Sequence, residues 1–115
     1  MTDYDYHARL AKEQRDAAIT EYEHRRYSTV GHLTLMAVEQ AVEAPASREG
    51  KHFHEHPRDA HKNRVEWIAI KFPGLVIGVK TLWSIRAELG YGGVDGDKAR
   101  EAVTIMEGIF DELRI

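Results

Sequence analysis

An arginine and a tyrosine at the end of an amphipathic segment are the residues with the most suggestive chemistry in this chain. Arg86 lies near the end of the segment 82–89, and Tyr91 follows it after four intervening residues. A guanidinium presents planar N–H donors that suit phosphate, and a tyrosine ring offers a stacking face for a base. We therefore expect any ligand site to centre on Arg86 and Tyr91. The alternative is structural, with Arg86 stabilising the negative end of a helix dipole and Tyr91 packing a corner.

Histidines cluster near the middle of the chain and raise the question of a metal site. His52, His54 and His56 alternate along one segment, and His61 follows them. If that segment is extended, alternation places the first three on one face, and imidazoles are ligands that zinc and nickel favour. The segment also contains Gly50 and several charges, which is typical of a solvated loop. We expect no metal here and no metal requirement for folding, with a metal site as the alternative.

Length and composition indicate a single soluble domain over residues 1–115. Hydrophobic residues make up 43% and charged residues 30%, the formal net charge is −3, and cysteine is absent. This composition is typical of globular proteins, and it excludes disulfides, thiolate metal sites and nucleic-acid binding through bulk positive charge. The polar N-terminus is unlike a signal peptide, and Lys71 and Pro73 interrupt the most apolar region, so we expect a cytoplasmic protein without a membrane span.

Five segments of helical length, separated by prolines and glycines, predict an all-α bundle. No strand-like alternation persists along the chain. The predicted helices cover about 4–23, 28–43, 57–72, 75–89 and 98–113, with a loop at 45–56. We expect the fourth and fifth helices to supply much of the core. The fifth has the most regular apolar stripe, at steps of three and four residues: Ala99, Val103, Met106, Phe110 and Leu113.

Individual residues predict where these helices begin and end. Ser28 or Thr29 is expected to cap the second helix, and Pro45 is expected to end it, because the residue before a proline is biased away from helical geometry. Gly90 is the expected C-cap of the fourth helix. Asp95 has the side chain of a good N-cap for the fifth helix.

The helices in this order resemble the HEPN superfamily, the higher eukaryotes and prokaryotes nucleotide-binding domains. Arg26-Tyr27 leads into the second helix, and Arg86-x-x-x-x-Tyr91-Gly92 closes the fourth. The resemblance spans nearly the whole chain. It implies a helical bundle that often pairs as a dimer, in a superfamily whose members include RNA-cleaving toxins and partners of small nucleotidyltransferases. We expect a homodimer that contacts nucleotide or RNA, with a small nucleotidyltransferase as a partner and without a cofactor.

This chain departs from the motif of the RNA-cleaving members of the superfamily. In those proteins a polar residue follows the Arg directly and a His comes shortly after it, whereas here Ala87 follows Arg86 and Tyr91 stands at the position of the His. A free phenol, with a pKa near ~10, is a poor proton carrier at neutral pH. We therefore expect binding without catalytic residues. The alternatives are an RNA-cleaving or nucleotide-processing enzyme, toxin-like, that uses Arg86 with His32 or His61, and an antitoxin-like subunit without a ligand.

Overall fold

Five α-helices follow one another in the computed structural model, which describes the backbone of residues 1–92 and 95–115 and the side chains of residues 1–90 and 95–115. The structure is 84% helical, and no strand occurs in the described ranges. Its radius of gyration of 13.4 Å is that of one folded unit of this length. The predicted all-α bundle is confirmed. The helices are α1 (Asp3–Glu23), α2 (Tyr27–Ser47), α3 (Ala60–Lys71), α4 (Val76–Gly92) and α5 (Gly96–Leu113), with short 3-10 helices at Phe53–Glu55 and Pro73–Leu75.

Helix α2 lies at the centre of the bundle because its residues are apolar on nearly every side. It packs along α1 and against α4 and α5. Val30, Val38 and Val42 are almost completely buried, and Ala37 and Ala41 leave room for neighbouring helices to approach. Even so, no described helix combines the length and the apolar composition needed to cross a membrane.

The fourth and fifth helices contribute to the same core, as the apolar spacing predicted. On α5 the side chains of Met106 and Phe110 are buried, and Leu113 packs against the cluster from its edge. The predicted cap of α5 is also confirmed, because the carboxylate of Asp95 accepts hydrogen bonds from the backbone N–H groups of residues 97 and 98 at 3.0 and 3.1 Å. The central place of α2 was not anticipated.

The second helix begins one residue before its predicted start, and the predicted cap at Ser28 or Thr29 is wrong. Helix α2 begins at Tyr27, after Arg26. The hydroxyl of Thr29 donates to the carbonyl oxygen of Arg26 at 2.9 Å instead of accepting a backbone N–H, so it does not cap the helix. Arg26 itself is held by Glu21 of α1, whose carboxylate accepts from its Nε at 2.7 Å. Contacts with the preceding helix therefore set this boundary.

Two breakers predicted to end helices do not end them. Helix α2 continues through Pro45 to Ser47, although a proline inside a helix costs ~3 kcal/mol. The continuation buries Ala46 completely. Helix α4 continues through Gly90 to Gly92, because glycine costs a helix only ~1 kcal/mol relative to alanine and does not forbid it. Helix α3 in turn begins at Ala60 rather than at residue 57.

We predict that Phe110→Ala lowers the free energy of unfolding by ~3–5 kcal/mol, because the ring is 2% exposed and its loss leaves a cavity among α5 and its neighbours. Thr104→Ala on the exposed side of the same helix is the matched control and should change stability by no more than ~0.5 kcal/mol. Urea unfolding followed by circular dichroism measures both. A loss below ~1 kcal/mol for Phe110→Ala, far less than a buried ring supplies, would contradict the assignment of the core.

Candidate functional site: the cleft around Arg86

A close approach between α2 and α4 creates the cleft. A Cβ atom placed on Gly31 of α2 would lie 3.1 Å from the Cα of Arg86 and 3.3 Å from the carbonyl oxygen of Ile85. Both of these atoms belong to the backbone of α4, so a side chain at residue 31 has no room unless the helices separate. The absence of a side chain at Gly31 therefore brings the N-terminal half of α2 directly against the C-terminal half of α4.

The cleft beside this contact is open and has a volume of about 340 Å³. Helix α2 contributes the hydroxyl of Ser28 and the imidazole of His32, one helical turn apart. Helix α4 contributes Arg86, Ala87 and Gly90. A guanidinium, an imidazole and a hydroxyl are all hydrogen-bond donors, so the polar groups of this cleft suit an anion.

Arg86 is the strongest donor in the cleft and is held in place by an aromatic ring. Its Cζ lies 4.3 Å from the centre of the Trp83 ring, within the range of a cation–π interaction. Its Nε is buried, and among the described residues no atom accepts a hydrogen bond from it. A buried donor without an acceptor costs free energy.

Two histidines lie near Arg86 although neither follows it in sequence. His32 lines the same cleft. His61 of α3 stacks on Trp83 with ring centres 3.7 Å apart and an angle of 22° between the planes. Burial lowers the pKa of His61, and the positive charges of Arg64 and Arg86 lower it further, so this imidazole is neutral at pH 7.

The second residue of the sequence-based ligand site, Tyr91, has a side chain that lies outside the described residues. The backbone of α4 passes through this residue as helix, so Tyr91 does not follow a C-cap as the glycines suggested. Its role as a stacking face stays a prediction. Of the two predicted residues, Arg86 is the one that lines the cleft and defines the candidate site.

Behind the cleft, one arginine of α3 joins two carboxylates of α2. Nη1 of Arg64 lies 2.8 Å from Glu39 Oε2, and its Nη2 lies 3.0 Å from Glu43 Oε1. Glu43 is completely buried. Burial raises the pKa of Glu39, and the positive charges of Arg64 and Arg86 offset part of that increase. These two carboxylates were not predicted from the sequence. The pattern that could have indicated them is a pair of glutamates four residues apart in an otherwise apolar segment.

The histidine-rich segment does not adopt the extended form that would align its imidazoles. Residues 53–55 form a 3-10 helix instead of an extended strand. The rings of His52 and His54 still meet edge to face, with centres 6.1 Å apart. His54 lies against Glu43, with Nδ1 3.3 Å from Oε2, whereas His61 lies on Trp83. In the described part of the chain, none of the other three histidines joins His54 in a group with metal-ligating spacing.

No family model, curated protein or solved structure matches this chain. The resemblance to the HEPN superfamily therefore rests on the order of the helices and on the residues around Arg86. Functional inference rests on the geometry of the cleft and of the charged residues behind it.

We predict that Gly31→Ala destabilises the protein by ~1–3 kcal/mol, because the added methyl group meets the backbone of α4. The control is Gly108→Ala on α5, where nothing lies within 4 Å of the new Cβ. Relief of the low helix propensity of glycine should stabilise that variant by up to ~1 kcal/mol. Thermal unfolding of the two variants should therefore shift in opposite directions. Equal shifts would show that α2 and α4 are not in close contact at residue 31.

Proposed function

We propose that this protein is a HEPN-like helical domain that self-associates and binds a phosphate group of a nucleotide or of RNA at the cleft around Arg86. The observation that carries the proposal is the buried Nε of Arg86, which has no acceptor among the described residues. A guanidinium in this state gains a charge-assisted hydrogen bond when a phosphate oxygen enters. The Ser28 hydroxyl and the His32 imidazole supply further donors on the opposite helix.

The geometry around Arg86 suits a phosphate group better than a single carboxylate group as the ligand. Contact with Trp83 restricts the orientation of the guanidinium, so less side-chain entropy is lost when an anion binds. Three donor side chains from two helices line the open cleft, so several oxygens of one phosphate group can each accept a hydrogen bond. The Tyr91 ring is the group that we expect to stack on the base.

Self-association is supported by exposed apolar side chains on two helices. Ile70 of α3 and Ile77 of α4 are 78% and 79% exposed in the single chain, and the Trp83 ring is 37% exposed. Large apolar side chains at the surface are typical anchors of protein–protein interfaces. We propose that a homodimer forms through these exposed side chains.

RNA cleavage is the second candidate function, and one specific observation favours it. An imidazole, His32, lines the cleft that contains Arg86, and the neutral His61 lies on the same Trp83 ring. A neutral imidazole is a competent general base, and a guanidinium stabilises charge that develops on a phosphate. This arrangement differs from the family motif, in which the His follows the Arg on one helix.

We predict that Arg86→Ala weakens binding of single-stranded RNA and of ATP by at least ~10-fold, the value of a charge-assisted hydrogen bond of ~1.5–3 kcal/mol. Fluorescence anisotropy for RNA and calorimetry for ATP measure the change. Arg9→Ala, which removes an exposed arginine of α1, is the control and should leave both affinities unchanged. Equal binding by the wild type and Arg86→Ala would leave Arg86 without a role in binding and favour the antitoxin-like alternative without a ligand.

The same variants separate binding from cleavage. We expect the wild type to leave RNA intact, because the group at the family's His position is not an imidazole. Suppose that the wild type cleaves RNA and that Arg86→Ala and His32→Ala both lose this activity while circular dichroism shows them folded. This result would contradict the proposal of binding without cleavage and would establish RNA cleavage as the function.

We predict that Ile77→Lys raises the dissociation constant of the dimer at least ~10-fold. A tenfold change corresponds to ~1.4 kcal/mol of binding free energy, and an ammonium group is costly to bury in an apolar interface. Sedimentation equilibrium measures the constant. Thr104→Lys adds the same charge to the exposed face of α5 and serves as the control. A wild-type chain that remains monomeric at all concentrations, or a dimer unaffected by Ile77→Lys, would contradict the proposed interface.

A further inference from the structure

A second cluster, which shares no residue with the cleft, brings together three potential metal ligands from three elements. His7 belongs to α1, Glu43 to α2 and His54 to the 3-10 helix Phe53–Glu55. One potential ligand atom from each lies within 4.8 Å of the other two. We call this group the His7–Glu43–His54 triad. Elements that are distant in sequence therefore place two imidazoles and one carboxylate around one point.

Each buried member of the triad is oriented by a residue outside it. Nδ1 of His7 lies 2.7 Å from Oε1 of Gln40. An amide oxygen only accepts hydrogen bonds, so Nδ1 carries the proton and the neutral ring keeps its lone pair on Nε2. Oε1 of Glu43 accepts from Arg64, which leaves Oε2 toward His54. Metal-binding histidines and carboxylates are commonly fixed by outer partners of this kind.

One distance within the triad matches that of a small divalent cation site, and the other ligand atoms lie within 4.8 Å of this pair. Oε2 of Glu43 and Nδ1 of His54 are 3.3 Å apart. Two ligands at ~2.0–2.1 Å from a tetrahedral zinc ion are separated by ~3.3–3.4 Å. The same separation permits a weak hydrogen bond from Nδ1–H of His54 to Glu43, which holds the pair together without an ion. A cation that binds Nδ1 displaces this proton, which moves to Nε2 of the ring or to solvent.

Burial differs among the three residues in a way that leaves one side of the triad accessible. His7 and Glu43 are 4% and 0% exposed, whereas the side chain of His54 is 42% exposed. Two ligands are therefore fixed within the bundle, and the third lies at the surface, where it can adjust to the ion. A water molecule or another small ligand can reach a fourth coordination position from solvent.

We propose that the His7–Glu43–His54 triad binds one zinc-class divalent cation, with a fourth coordination position open to solvent. Two histidines and a glutamate form a known ligand set of zinc sites that keep an open position. Of the histidines singled out in the sequence, His54 alone belongs to the site. His7 and Glu43, which complete it, lie on the first two helices.

The triad is assembled by protein contacts alone, because Arg64 and Gln40 already satisfy its buried groups. We therefore expect that metal is not required for folding, as the sequence analysis predicted, and this stays a prediction. A cation that binds the folded chain and not the unfolded chain raises the melting temperature by mass action. It also connects the 3-10 helix to α1 and α2 through ligand bonds.

The test uses zinc alone as the probe on the full chain after chelator treatment. Calorimetry should show one zinc ion per chain for the wild type. We expect His54→Ala to weaken that binding at least ~10-fold, since even outer-shell substitutions cost 10–100-fold. His56→Ala, which removes an exposed imidazole from the same segment, is the matched control and should bind as the wild type does. Zinc should raise the melting temperature of the wild type and of His56→Ala but not of His54→Ala.

A residue that never touches the ion supplies a second readout. Gln40→Ala removes the group that orients His7, and it should weaken zinc binding ~10–100-fold. Melting of each variant without metal shows whether it is folded, so a loss of binding is separable from a loss of structure. The proposal is overturned if the wild type binds no zinc saturably, if His54→Ala binds as tightly as the wild type, or if His56→Ala loses as much affinity as His54→Ala.

Discussion

The buried carboxylate of Glu43 is the constraint on which one side of the bundle depends. An ionised group with no exposed surface is strongly unfavourable unless charge and hydrogen bonds compensate it. Arg64 supplies both, and because the same guanidinium also binds Glu39, it holds α3 against two successive turns of α2. The other oxygen of Glu43 contacts His54, so the 3-10 helix between α2 and α3 is positioned by the same carboxylate.

The close contact of α2 with α4 at Gly31 is the second constraint, and it determines the cleft. The charges in the cleft and around Glu43 form one electrostatic network. Glu39 lies in the field of both Arg64 and Arg86, and the pKa of His61 is lowered partly by the same two guanidiniums. A change of charge in the cleft therefore alters the electrostatic interactions of the residues that position α3.

The two candidate functions, phosphate binding and RNA cleavage, differ in whether they need a group near Arg86 that transfers a proton. The residue that follows Arg86 is alanine, and Tyr91 stands where the RNA-cleaving HEPN proteins, which this chain resembles, have a His. Imidazoles reach the neighbourhood of Arg86 from α2 and α3 instead. Binding needs only the donors of the cleft, whereas cleavage also needs one of these imidazoles aligned on the reacting oxygen.

The sequence by itself determined the all-α class, the apolar stripe of α5 and the cap at Asp95, because these depend on residues within a few positions of one another. It also indicated Arg86 through its place at the end of an amphipathic helix. The helix ends expected at Pro45 and Gly90 were wrong, since both residues weaken a helix without forbidding it and burial of neighbouring residues decides the outcome. Only the tertiary structure placed His7 beside Glu43, because their proximity follows from the packing of α1 on α2 and has no local pattern.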